Sequence, residues 1–295
     1  LGELSALGAA LMWALTSVFF TLAGRKAGSM VVNRGRLLIA ALLLSGTHLA
    51  LLGTPIPLGA TSERWFWLSL SGVIGLVIGD ALLFQAFVLV GARISMLLMA
   101  LVPVISTLVA WFALGEHLRL IELLAIAVTV GGIAWVVLER GTPREVRRDR
   151  DYLNGLLAGV GGACGQALGL VTSKQGLLGD FPVISGVLMR ALAAVVVIWL
   201  WAALQGKVGQ SLRALRDWGV LRDVLGGSFV GPYVGVWLSL VAVRWAPVGI
   251  ASTLMALAPI LLLPMERWIF RGRLTWRAVI GTTVSMVGVA MIFMS

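Results

Sequence analysis

The chain has 295 residues, 59% of them hydrophobic and only 12% charged, with a formal net charge of +10 and a mean hydropathy of +1.00. A soluble domain carries about a quarter of its residues charged, so most of this surface faces something other than water. Long unbroken apolar runs, rather than short alternating strands, exclude a transmembrane barrel and leave a polytopic helical membrane protein whose backbone groups pair within each segment. The basic balance belongs to loops beside anionic headgroups. No basic run is interleaved with exposed aromatics, so nucleic acid is not an expected partner.

Apolar runs of roughly 20 residues, enough to cross a ~30 Å hydrocarbon core, lie near 4–23, 32–53, 65–89, 92–114 and 118–138. The first follows Glu3 and precedes Arg25 and Lys26. That is the wrong charge order for a cleaved leader, so it counts as a span. The basic run 139-ERGTPREVRRDRD-151 comes next, and then five more spans near 152–173, 182–204, 222–244, 248–270 and 276–294. The expected organisation is a first five-helix unit over 1–140, a linker over 141–151 and a second five-helix unit over 152–295.

The halves repeat. An offset of 156, as from Gly75 to Gly231, also joins Gly79 to Gly235, Ile94 to Ile250, Met99 to Met255 and Pro103 to Pro259. The runs 98-LMALVP-103 and 254-LMALAP-259 differ at one position. Further out the offset drifts, pairing Gly131 with Gly288, Lys26 with Lys174 and Arg36 with Arg190. An odd number of spans per copy sets the copies in opposite orientations, the logic of alternating-access transporters. Basic residues crowd the loops after odd-numbered spans, which places the linker in the cytoplasm and both termini outside.

Asp80, deep in span three, is costly in lipid, about 2.5–3.5 kcal/mol on insertion scales, so it faces a cavity or a partner. It reads equally as a proton-titrating or amine-binding carboxylate and as a structural group, either half of a buried ion pair with Arg36 or Arg190 or hydrogen-bonded to backbone. Those two arginines could instead hold a substrate carboxylate bidentately, although snorkelling or packing is the commoner use of a duplicated arginine. Most of the twelve tryptophans mark span ends. Trp13 and Trp237 are mid-span and want a partner for the indole N–H. With Phe84, Gln85 and Tyr233 they suggest a mixed aromatic and polar pocket, with plain packing as the even alternative. Met99 and Met255 offer it a pliable wall, although gap-filling is commoner. Pro103 and Pro259 inside spans four and nine, and Pro264 in span nine, free carbonyls and permit kinks. Glycine stripes such as Gly75/Gly79 and Gly227/Gly231/Gly235 point to close helix packing. Cys164 is the only cysteine, and His48 and His117 stand apart from other ligand types. No metal site or cofactor is therefore expected. No HExxH, GxSxG or phosphate-cradling loop occurs, so no enzymatic role is expected.

Two halves of five spans, an Arg early in span two of each half and a Pro inside spans four and nine resemble the drug/metabolite transporter superfamily. The run 102-VPVISTLVAWFALGEHLRLIELLAIAVTVGGI-133, with its Pro, its Leu-Gly-Glu at 114–116 and its Gly pair, is similar to the repeat ending of EamA-type exporters. The second copy departs from it with 271-RGR-273. The resemblance implies ten transmembrane helices as two inverted five-helix repeats around a central cavity. Its lining would include Trp13, Asp80, Phe84, Met99, Gln166, Tyr233, Trp237 and Met255. It also implies cytoplasmic termini, opposite to the charge count. The expected function is gradient-driven export of amino acids or related small metabolites from a bacterium, across its inner membrane. The protein would be a monomer or weak homodimer whose partners are a small-molecule substrate and the lipid bilayer. A drug or organic-cation exporter is the rival, and a lipid-handling or structural membrane protein the alternative of another class.

Overall fold

Ala, Leu and Val dominate every long segment, and the chain answers with helices throughout the residues that the computed structural model describes: 1–114, 119–138, 149–245, 254–269 and 275–294. Most of the basic linker (139–148), Glu116, His117 and 271–273 lie outside the described residues, as do the side chains of Lys174 and Glu266. Helices α1 (Gly2–Ala27) and α2 (Ser29–Leu52) form spans one and two. Only Gly28 separates them, at a φ of 85° that a side chain would strain. Span three is a composite of α3 (Ser62–Gly72), a π-helical segment π1 (Val73–Gly79) and α4 (Asp80–Leu89). Thr61 caps α3 by accepting from the Arg64 N–H. Span four divides into α5 (Gly91–Leu98) and α6 (Leu101–Leu114), and span five is α7 (Leu120–Leu138).

The second half repeats this plan. Spans six and seven are α8 (Asp149–Gly176) and α9 (Val183–Leu204), and a short polar helix α10 (Val208–Arg216) follows. Span eight is α11 (Trp218–Ser228), π2 (Phe229–Gly235) and α12 (Val236–Trp245). Span nine ends in α13 (Ala258–Ile269), and span ten is α14 (Trp276–Met294). Six of these stretches are long and apolar enough to cross a membrane by themselves, and 91–106 and 276–292 are shorter apolar helices. The two remaining spans are interrupted ones: span eight holds Pro232 in π2, and span nine breaks before α13.

The packing inverts that of a soluble protein. Ala6, Ala9, Ala10 and Ala14 of α1 are fully buried, whereas Leu4, Leu7 and Leu11 of the same helix are exposed. Small residues bring the backbones together and large aliphatics face outward, as expected where lipid, not water, surrounds the bundle.

Equivalent helices of the two halves run antiparallel. Along the α2–α9 contact, Leu44 meets Leu188 and Ala191, while Leu37 meets Ala194 and Ile198. Along the α7–α14 contact, Gly132 lies against Gly281 and Ser285, and Gly288 against Thr129 and Ala125. Ascending numbers on one helix meet descending numbers on its counterpart, so the repeats are inverted.

The offset of 156 reaches into backbone geometry. It carries π1 onto π2 residue for residue. The helix breaks also correspond to within one residue, at Met99–Ala100 in span four and Ala256–Leu257 in span nine. Both are bridged by i→i+3 hydrogen bonds, Ala100 N to Leu97 O at 3.0 Å and Leu257 N to Leu254 O at 3.2 Å. This corrects the expected role of Pro103 and Pro259. Each stands in the first turn after its break, where a missing N–H costs nothing, and the interruption precedes it. Pro264 is inside α13 and exposed.

Candidate functional site

Between the two repeats lies a chamber of about 520 Å³. Span one contributes Trp13, Thr16 and Phe20, span four Met96 and Met99, and span eight Gly231, Pro232 and Val236. Its charged residues are Arg36, Asp80 and Arg190. A smaller hollow of about 280 Å³ adjoins it across Trp13, Met96 and Met99, and is lined further by Pro103, Met255 and Pro259. The two helix breaks thus flank the hollow, with their wall of Met and Pro side chains.

Asp80 begins α4 immediately after π1, and Arg36 Nη2 donates to its Oδ2. Gln166 Nε2, from α8, donates to its Oδ1. Arg36 is held from behind by Asn33 Oδ1, which accepts from Nε at 3.4 Å and Nη2 at 3.2 Å, while Asn33 Nδ2 donates to Leu76 O at 3.1 Å. The guanidinium also lies 5.1 Å from the Phe84 ring centroid. Asp80 and Arg36 are 4% and 8% exposed, and at that burial each charge depends on the other. Both carboxylate oxygens are occupied by donors of this chain.

Arg190 on α9 is the repeat counterpart of Arg36, but its surroundings differ. Its Nε is buried without a hydrogen-bond partner among the described residues. The counterpart of Asp80 on span eight is Val236, which also lines the chamber.

One end of the chamber, toward the linker, is closed. Phe20, Phe84, Phe87, Val220 and Val224 form one buried cluster, with the Phe20 and Phe84 centroids 5.0 Å apart. Beyond it Lys26 Nζ pairs with Asp223 Oδ2 at 2.7 Å and donates to Gly219 O at 3.3 Å. At this end α2 packs on α4, whereas no comparable packing joins α9 to α12 among the described residues. The two ends of the chamber are built differently.

Three expected lining residues stand elsewhere. Trp237 is 38% exposed and Tyr233 packs on Phe229, and neither lines the chamber or the hollow. The wide turn of π2 holds more residues than an α-turn and so rotates the downstream face, presenting Pro232 and Val236 inward. Gln85 is exposed and accepts from Ser29 Oγ at 2.7 Å. Five residues beyond Asp80, it lies well round the helix from it, whereas Phe84 at four shares its face. Sequence reasoning passed over Pro232, Thr16 and Phe20. A proline within the 229–235 glycine stripe was the available signal for the first. Among the described residues no three His, Cys, Asp or Glu side chains converge to hold a metal.

Comparison with known proteins bears on the whole chain. The profile described as "EamA-like transporter family" matches residues 1–138 and again 153–294. Of the 24 solved chains that match, one titled "Crystal structure of protein" has a TM-score of 0.62 at 18% identity, covering 98% of this chain and 94% of that one. That likeness shows the fold. No curated protein matches.

Proposed function

The chain belongs to the EamA-like transporter family, and from that premise we propose that it exports amino acids or related small metabolites by alternating access, in the manner of a YddG-like exporter. The proposed setting is a bacterial inner membrane. Family membership makes the protein a multi-pass membrane transporter rather than an enzyme. The finer reading rests on the chamber. At about 520 Å³ it falls in the range of small-molecule sites, about 300–1,000 Å³. It lies between inverted repeats, and spans four and nine are both broken beside the hollow that adjoins it, the arrangement in which half-helix ends serve a midplane site. The motive force is a solute or ion gradient, since the sequence carries no nucleotide-binding loop. The single observation that carries the reading is a mostly apolar chamber, closed at one end, into which the buried Arg36–Asp80–Gln166 set and Arg190 bring polar groups.

The test is counterflow. Proteoliposomes preloaded with leucine or phenylalanine should accumulate the labelled amino acid above protein-free vesicles, and an excess of unlabelled substrate outside should abolish it. Absence of counterflow for every member of an amino-acid and organic-acid panel, with protein shown to be folded, overturns the proposal.

A further inference from the structure

The chamber's charges do not balance. Arg36 and Asp80 neutralise each other, and Gln166 takes the remaining carboxylate oxygen. Arg190 faces the same space, near enough to share the Asp80 charge but with its Nε unpartnered among the described residues, so two guanidinium groups and one carboxylate leave one net positive charge. The repeat explains why. The first copy supplies both members of an arginine–carboxylate pair. The second copy keeps the arginine but has Val236 where the carboxylate would stand. A guanidinium turned toward an apolar chamber is stable only with an anion beside it, and its planar fork suits a carboxylate.

The geometry points to Arg190 as the anchor for the anionic group of the transported solute, so that the preferred substrates are organic monoanions, carboxylates above all, with an apolar or aromatic remainder. This rests on the transport reading and narrows it: the carboxylate is recognised and the amino group is not. An ammonium entering the chamber meets one uncompensated positive charge and a carboxylate whose two oxygens are already engaged. The walls suit the remainder of such a solute, with Trp13, Phe20 and Phe84 for rings and Met96 and Met99 for adaptable contact. The rival reading as an organic-cation exporter meets the same positive charge.

Three probes of matched skeleton decide it: 3-phenylpropanoate, phenylalanine and 2-phenylethylamine, tested on the full chain by thermal stabilisation in detergent and by uptake into proteoliposomes. The expected order is 3-phenylpropanoate first, phenylalanine equal or weaker, and 2-phenylethylamine without effect. Arg190→Gln should weaken 3-phenylpropanoate roughly 10- to 100-fold, the loss of charge-assisted hydrogen bonds, and Arg190→Lys should retain part of the affinity. The inference is overturned if the amine matches the carboxylate, if phenylalanine binds tenfold tighter than 3-phenylpropanoate, or if folded Arg190→Gln binds the carboxylate unchanged. It is also overturned if phosphatidylglycerol stabilises the protein through Arg190 and 3-phenylpropanoate does not displace it, which would assign the arginine to lipid. If Arg190→Gln does not fold, the ranking on the unaltered protein and the Arg190→Lys variant decide. Leucine counterflow separates the two readings. If leucine moves but the carboxylate preference is missing, only this inference fails; if neither moves, the transport reading fails with it.

Discussion

Span three crosses span six, and span eight crosses span one, at places that the repeat makes equivalent, yet the two crossings are filled in opposite ways. At the first, backbone meets backbone: a Cβ on Gly165 would lie 2.5 Å from the Gly79 Cα, and one on Gly169 would lie 2.9 Å from the Gly75 Cα. At the second, glycine meets side chain: a Cβ on Gly231 would lie 2.6 Å from Thr16 Oγ1, and one on Gly235 would lie 2.9 Å from Trp13 Nε1. Each crossing has one hydroxyl reaching across, Ser71 to Gly169 O and Thr16 to Gly227 O, both at 2.6 Å. The first adds a charged link in its buried middle, Asp80 with Gln166, whereas the ion pair of the second, Lys26 with Asp223, stands at its linker end with the lysine half exposed. One copy of the duplicated crossing has become a bare, polar-bolted contact. The other has received the aromatic and hydroxyl groups that line the chamber.

The largest effect comes from removing the bolt. Asp80→Asn leaves Arg36 buried without a counter-charge, and breaking a buried pair from one side costs about 3–5 kcal/mol. Thermal unfolding in detergent should show it, and transport should fall with it; an unchanged midpoint would mean that the pair contributes nothing to holding these spans. Next come the glycines. Gly165→Ala drives Cβ into the facing backbone, where nothing can rotate away, at a cost of about 1–3 kcal/mol. Gly235→Ala meets the far end of the Trp13 side chain, 2.9 Å from Nε1, which can swing aside at a cost of about 0.5–1.5 kcal/mol for an off-rotamer χ. Equal destabilisation by the two substitutions would erase the contrast between the crossings. The smallest effect on stability belongs to Lys26→Met at the closed end of the span-one crossing. The Lys26 side chain is 45% exposed, and such pairs are worth only about 0.2–1 kcal/mol. Its effect should appear in access instead. In a Cys164→Ser, Thr16→Cys background, Lys26→Met should speed labelling by an impermeant maleimide applied from the linker side. Unaltered labelling would show that Lys26 does not latch that end.

Much of the architecture is legible in the sequence because lipid enforces simple rules. Apolar length gives the spans, and the offset shared by Gly75/Gly231 and Met99/Met255 anticipates where both π-segments and both helix breaks fall. Facing is where periodicity misleads. Counting α-helical turns from Tyr233 to Trp237 takes no account of the wide turn of π2, and Gln85 is one residue too far round from Asp80. The prolines were legible as markers of interruption but not as residues placed after it, since Pro suits a first turn as well as a kink. Whether Asp80 chooses Arg36 or Arg190 is not written in residue types. Asn33 decides it by bracing Arg36 against the π1 carbonyls, a contact between side chain and backbone that no spacing announces.

The antiparallel contact of α7 with α14 has a consequence for descent. Its two faces are homologous, so the joint is close to self-complementary: Gly132 rests near Gly281 as Gly288 rests near Thr129. A half-length ancestor inserted into the bilayer in both directions would find on its upside-down twin the surface that now ties the two halves of one polypeptide together. Fusion of two such genes would fix the stoichiometry and free each copy to drift alone, which is how one could keep its aspartate while the other came to hold a valine.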